Sequence, residues 1–249
     1  MPLIGSYFLN VPQPVTEAAM DGIKKYTYGE QVAEYIKEKI LQGNLQPGDQ
    51  VKEVALSSEL SISRAPIREA LQLLSREGLI VSKPQKGKFI AALTAKQIKE
   101  SYFTGGILEA VAVSQALHLY TDEDIKALED IVKEMRKIGD TGNSTESLEE
   151  LDNRFHGILF SRVDNELLID LCRRSCQGIS KFLLFKYWIH LFSPEQIYER
   201  HLIILDAIKS GDAQQVERTI REHYQESGTR MAKFGVDVPE EARQSETSR

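Results

Sequence analysis

The sequence predicts a mainly α-helical protein, an N-terminal winged helix-turn-helix followed by an all-helical bundle. Three observations carry this. Two short helical segments joined by a tight turn run into a pair of short strand-like stretches before residue 94. From residue 95 to about residue 234 a helical period continues with no convincing strand. The chain has 249 residues, 41% hydrophobic and 27% charged, enough for two compact cores and inconsistent with disorder throughout.

The elements follow in order. Thr27 with Glu30 forms a capping-box signature, and Val32, Ile36, Ile40 and Leu41 share one face of the helix it opens. Gly43 and the turn Gln46-Pro47-Gly48-Asp49 stop that helix. A short helix from about Lys52 to Leu60 and a second from about Arg64 to Glu77, bearing Ile67, Leu71 and Leu74, form the helix-turn-helix. Leu79 to Lys83 and Lys88 to Ala92 read as strands around Pro84-Gln85-Lys86-Gly87, a wing with a basic tip. Thr94 with Gln97 is a second capping box and marks the domain boundary. Six helices are expected beyond it, at about 95–119, 122–138, 145–161, 165–190, 194–210 and 212–234. The organisation expected is a flexible extension over 1–26, the winged helix-turn-helix over 27–94, an effector-binding and dimerisation domain over 95–236, and a flexible tail over 237–249.

Charge divides along the same boundary. The net charge is −6, yet residues 1–94 carry 11 basic and 10 acidic side chains, against 20 and 27 in residues 95–249. Arg64, Arg68, Arg76, Lys83, Lys86 and Lys88 meet only Glu69 and Glu77 in residues 61–90. A local basic patch therefore survives an acidic total, as a DNA-reading face requires. Cys172 and Cys176, four residues apart in a helical stretch, build neither a disulfide framework nor a four-thiolate zinc site. With no signal peptide and no apolar run of about 20 residues, a cytoplasmic protein away from membranes is expected.

In Ser63-Arg64-Ala65-Pro66-Ile67-Arg68, a small hydroxyl residue precedes a helix, proline lies in the first turn, and two arginines four residues apart share a face. The N-terminus of such a recognition helix enters the major groove, where a guanidinium fork matches the acceptors of guanine. These residues extend to Ala70-Leu71. With Pro47-Gly48-Asp49, Glu77-Gly78-Leu79-Ile80 and Gly87, they resemble the DNA-binding domain of GntR-family bacterial transcription regulators across about 65 residues, Tyr28 to Leu93. The resemblance implies that Ser63, Arg64, Ala65 and Arg68 lie at the groove of double-stranded operator DNA. It places Lys86 and Gly87 of the wing at the minor groove or backbone. Val54 stands where many relatives carry a DNA-touching arginine.

Of five histidines, His156, His201 and His223 fall in apolar stripes of three separate helices, with Asp152 one turn before His156. One inward histidine is ordinarily a hydrogen-bonded core residue. Three with a carboxylate suit a divalent transition metal, because burying Asp152 without a cation is costly. Trp188 among Phe182, Phe185, Tyr187 and Phe192 reads as core or as a ligand-stacking cluster. Asp152-Asn153-Arg154-Phe155-His156, Asn165-Glu166-Leu167-Leu168, Glu199-Arg200-His201, Asp206-Ala207-Ile208, Gly211-Asp212 and His223 resemble the FCD effector domain of the FadR subfamily of GntR regulators.

That resemblance implies an FCD-like bundle in which Asp152, His156, His201 and His223 hold one metal ion per chain, zinc or nickel. It sets Glu109 and Asn165 on the side of a small effector, an organic or sugar acid. Gly105 departs from it, replacing an arginine that holds carboxylate effectors in many relatives. The expected function is a homodimeric, ligand-responsive transcription regulator and not an enzyme. The alternatives are a purely structural metal site and a metal-dependent hydrolase, the latter lacking an HExxH motif and an evident nucleophile.

Overall fold

The computed structural model describes residues 26–141, 147–188 and 190–238. The expected N-terminal extension, apart from Tyr26, and the tail beyond Val238 lie outside them. Thr27 caps α1 (Tyr28–Leu41) through the reciprocal bonds with Glu30 that its sequence announces. It is followed by β1 (Gln50–Val51), α2 (Glu53–Leu60), α3 (Arg64–Arg76), β2 (Ile80–Lys83) and β3 (Gly87–Ile90). The sheet order is β1-β3-β2, all antiparallel, with Gln50 opposite Phe89 and Lys83 opposite Gly87. Strand β1 was not expected from the sequence, since two residues are too few to show an alternating pattern. Ile36, Ile67, Leu71, Leu74 and Ile90 are fully buried between the helices and the sheet. One face of α3 is thereby fixed to the domain, leaving the other to solvent.

The second part runs α4 (Ala95–Ala116), α5 (Asp122–Thr141), α6 (Leu148–Leu159), α7 (Glu166–Cys172), α8 (Ile179–Leu183), α9 (Phe185–Trp188), α10 (Pro194–Ser210) and α11 (Ala213–Met231). Short 3-10 turns extend α4 over Leu117–Leu119 and α11 over Ala232–Phe234. Helices α4 and α11 lie along each other, α10 packs on α5, and α7 lies on α4. Two glycines permit the first contact: a Cβ on Gly106 would stand 2.6 Å from Cβ of Tyr224, and one on Gly228 2.6 Å from Cβ of Tyr102. Each helix offers a bare backbone where the other offers a tyrosine.

The single helix expected over 165–190 is broken. A π turn, Arg173–Gly178, separates α7 from α8, and α9 is a further short piece. Cys172 and Lys181 are nine positions apart, which at about 100° per residue would put them on opposite faces. The wider π turn absorbs the excess residue, and both side chains are buried. Cys172 packs its thiol 3.4 Å from the carbonyl of Gly105. The side chain of Cys176 lies outside the described residues.

The joint between the two parts is tied down by the far end of the chain. Thr94 caps α4 in a capping box with Gln97. Asp237 Oδ1 accepts from the amide of Ala95 at 2.7 Å, and the Val236 amide donates to the Leu93 carbonyl at 3.0 Å. Asp237, expected to begin a loose tail, is engaged at the first turn of α4.

Candidate DNA face and metal centre

At the turn between α2 and α3, Ser61 takes a left-handed conformation (φ 54°), and Ser63 caps α3 with extended backbone and no side-chain capping bond. Ser63, Arg64, Ala65 and Arg68 are all exposed. Arg68 Nε donates to Glu53 Oε2 at 2.9 Å, an exposed pair of small net worth that a nucleic acid can replace. Glu53 also borders a groove lined by Gln50, Lys52, Lys83, Gln85, Gly87 and Lys88, so the arginine and the wing belong to one continuous surface. The wing turn is closed by the Lys86 amide donating to the Lys83 carbonyl at 3.0 Å, and Gln50 Nε2 donates to the Lys86 carbonyl at 2.7 Å. Gly87 at φ +97° makes this turn possible and leaves the side chain of Lys86 exposed at the tip. Val54 is 57% exposed on α2, with no polar group to offer DNA.

In the helical domain, α6, α10 and α11 bring His156, His201 and His223 together, with one ligand nitrogen of each within 4.8 Å of the others. Asp152 comes from the turn of α6 before His156. Its Oδ1 lies 3.3 Å from His201 Nε2 and 3.9 Å from His156 Nε2. The outer nitrogens are occupied: Nδ1 of His201 donates to the Ile197 carbonyl at 2.7 Å, and Nδ1 of His156 lies 2.5 Å from Glu109 Oε1. Such bonds fix ring orientation and turn both Nε2 atoms inward. Glu109 is itself held by the Tyr224 hydroxyl, which donates to Oε2 at 2.5 Å.

The electrostatics are those of a charged site removed from water. Burial opposes ionisation of Asp152, but Lys181 and the two neighbouring imidazoles hold its carboxyl well below the usual range. Burial would lower His156; the carboxylate of Glu109 outweighs it and raises this group to about 9. His223 is pushed well down, by burial first and Arg200 second, so its ring is neutral. His201 Nε2 and His223 Nδ1 are buried with no hydrogen-bond partner among the described residues. A buried orphan nitrogen is costly, and two of them facing one point beside an ionised carboxylate fit a borderline transition metal.

Beside the cluster is a cavity of about 50 Å³ whose lining includes Tyr102, Lys181, Trp188, Phe192 and Arg200. Lys181 Nζ is 2.9 Å from Asp152 Oδ2 and 3.7 Å from the centroid of the Trp188 ring. Arg200 donates to the His223 carbonyl at 2.8 Å and to Ser227 Oγ at 2.7 Å, and also pairs with Glu226. Two expectations change here. Glu109 does not line the cavity; it is fully buried behind His156. Asn165 does not approach it either: it is exposed, and its side chain caps α7 by accepting from the Leu168 amide at 3.0 Å. Lys181, Arg200 and Tyr224 escaped sequence reasoning. Arg200 and Tyr224 each adjoin a metal-type histidine and so held some signal, whereas Lys181, beyond the π turn, held none.

Comparison with known proteins gives two family matches. The profile described as bacterial regulatory proteins, gntR family, covers residues 28–90, and that of the FCD domain covers residues 100–226. The chain is similar to the HTH-type transcriptional repressor RspR of Escherichia coli K12, 26% identical over 218 residues, 88% of this chain and 89% of that protein. It is also similar to the HTH-type transcriptional regulator LutR of Bacillus subtilis, 30% identical over 204 residues, 74% of this chain and 92% of that one. The Nta operon transcriptional regulator of Aminobacter aminovorans is 33% identical over 161 residues, 65% and 74% of the respective chains. Among solved structures, a GntR-type regulator from Rhodococcus sp. RHA1 superposes with a TM-score of 0.60 at 21% identity, covering 82% of this chain and 96% of that one. Escherichia coli McbR/YncC gives 0.57 at 20% identity, covering 80% and 94%.

Proposed function

The chain belongs to the GntR family of bacterial regulatory proteins and carries its FCD domain, and we propose that it is a metal-dependent, effector-responsive regulator that binds operator DNA as a homodimer. That it is a transcription regulator and not an enzyme accords with the names of its relatives. In this reading Asp152, His156, His201 and His223 hold one divalent ion, and Ser63, Arg64, Ala65, Arg68, Lys86 and Gly87 meet the DNA.

The observation that carries the metal reading is the pair of orphan nitrogens on His201 and His223 inside a cluster spanning less than 4.8 Å. The imidazole and carboxylate donors suit zinc and nickel alike. The ion would supply a Lewis-acidic anchor for a small ligand. The cavity beside it supports an anion, because Lys181 and Arg200 face it while, among the described residues, Asp152 is the only acidic one in its lining. A divalent ion adds two further positive charges to a site withdrawn from water, and an organic or sugar acid would offset them. Lys181 and Arg200 thus take over the cationic role that Gly105 cannot fill.

Two features support coupling and dimerisation. Helix α8, which carries Lys181, packs against α1 of the reading head. Phe103 and Leu167, on the adjoining helices α4 and α7, are 62% and 67% exposed and offer apolar area for a second copy. Two-fold operators match a two-fold dimer.

Elemental analysis of the full chain and of His201→Ala tests the metal. About one ion per parent chain and most of it lost from the variant is expected; equal content in both would overturn the reading. Thermal-shift titration of the metal-loaded chain with organic acids then separates an effector site from a purely structural one, in which no acid raises the melting temperature.

A further inference from the structure

Asp152 divides its two oxygens between two tasks. Oδ1 faces the histidine nitrogens, at 3.3 Å from His201 and 3.9 Å from His156, while Oδ2 accepts from Lys181 Nζ at 2.9 Å. The ammonium is itself restrained on two further sides, by Asn153 Oδ1 at 3.2 Å and by the Trp188 ring at 3.7 Å. Lys181 is only 9% exposed. Few lysines are held this far from water, and this one is held by a carboxylate, an amide oxygen and an aromatic face at once.

We propose that Lys181 is the positioning residue of the metal ligand Asp152: by holding Oδ2 it fixes the carboxylate rotamer that presents Oδ1 to the ion. The inference rests on the metal reading above. A carboxylate with both oxygens free can rotate about its Cβ–Cγ bond or swing to solvent, and a single-oxygen ligand is productive in one orientation only. A hydrogen-bonded partner on the outer oxygen removes that freedom, as Glu109 and the Ile197 carbonyl do for His156 and His201. Lys181 completes the set, so that three of the four ligands are oriented from behind by the chain itself.

The test measures Zn²⁺ affinity of the full chain by competition with a chromophoric chelator. Lys181→Met keeps an unbranched apolar stem of similar reach against Trp188 but removes the donor, and it is expected to weaken Zn²⁺ binding by about 10- to 100-fold. Lys181→Arg restores a cationic donor and should recover most of that loss. If the lysine acts through Asp152, adding Lys181→Met to Asp152→Asn should cause little further loss, whereas a general packing role would make the two losses multiply. Parent-like affinity of Lys181→Met, or full multiplication in the double variant, overturns the proposal. Should Lys181→Met not fold, a parent-like Lys181→Arg supports it and an Arg variant as weak as Asp152→Asn overturns it. His201→Ala separates the two readings: if that variant keeps Zn²⁺ the metal site itself is wrong, and if it loses Zn²⁺ while Lys181→Met does not, only the positioning role is wrong.

Discussion

Glu109 on α4 and His156 on α6 are 47 positions apart in the chain, yet Oε1 of the first lies 2.5 Å from Nδ1 of the second. The contact selects which imidazole nitrogen faces the histidine cluster. It also explains a fully buried glutamate, whose other oxygen is taken by the hydroxyl of Tyr224 on α11. Three helices are thereby joined behind the histidine cluster by one carboxylate.

Glu109→Gln should therefore impair the proposed metal centre without touching any of its four proposed ligands. The amide is nearly isosteric but uncharged, and it can turn its NH2 towards His156, favouring the wrong tautomer. A loss of about 10- to 100-fold in Zn²⁺ affinity is expected from chelator competition, with a helical circular-dichroism signal like that of the parent. Unchanged affinity would show that the imidazole is oriented by other means.

Gly106 tests the close crossing of α4 and α11 that carries this arrangement. A methyl group there would meet Cβ of Tyr224 at 2.6 Å, too near for the helices to remain in place. Gly106→Ala should destabilise the protein by about 1 to 3 kcal/mol despite its better helix propensity, read as a lower urea midpoint. Because Tyr224 must shift, its bond to Glu109 should suffer too, and metal affinity should fall with stability. A higher midpoint in the variant would contradict the crossing.

On the DNA face, Arg68→Ala should weaken binding to the cognate operator by about 1 to 3 kcal/mol and relax base preference at one position. The pair it leaves behind, Glu53, is partly exposed and imposes little cost on the fold. Lys86→Ala at the wing tip should instead weaken binding evenly across sequences and reduce the salt slope by about one counterion. Filter binding or anisotropy over a salt series distinguishes the two. Equal operator affinity of Arg68→Ala and the parent in matched salt would refute the recognition-helix assignment.

Much of this protein was legible in its sequence. The capping boxes at Thr27 and Thr94 and the apolar periods that follow them are local signals, set by one turn of backbone and its neighbours, and the helices they open appear where expected. The winged helix-turn-helix and the convergence of His156, His201 and His223 with Asp152 were readable for the same reason, since each lies on the inward stripe of its own helix. What the tertiary structure alone decided are relationships between distant segments. Strand β1 exists only because β3 pairs with it. Asn165 caps the start of α7 and lies away from the cavity. Glu109 turns from a cavity residue into a support for His156 because α4 and α6 meet at that point. Lys181 reaches Asp152 because a π turn rotates α8 away from the face that an uninterrupted helix would have presented. A helical period reports the inward side of a segment; which partner awaits there depends on contacts tens of residues away, and these are set by packing alone.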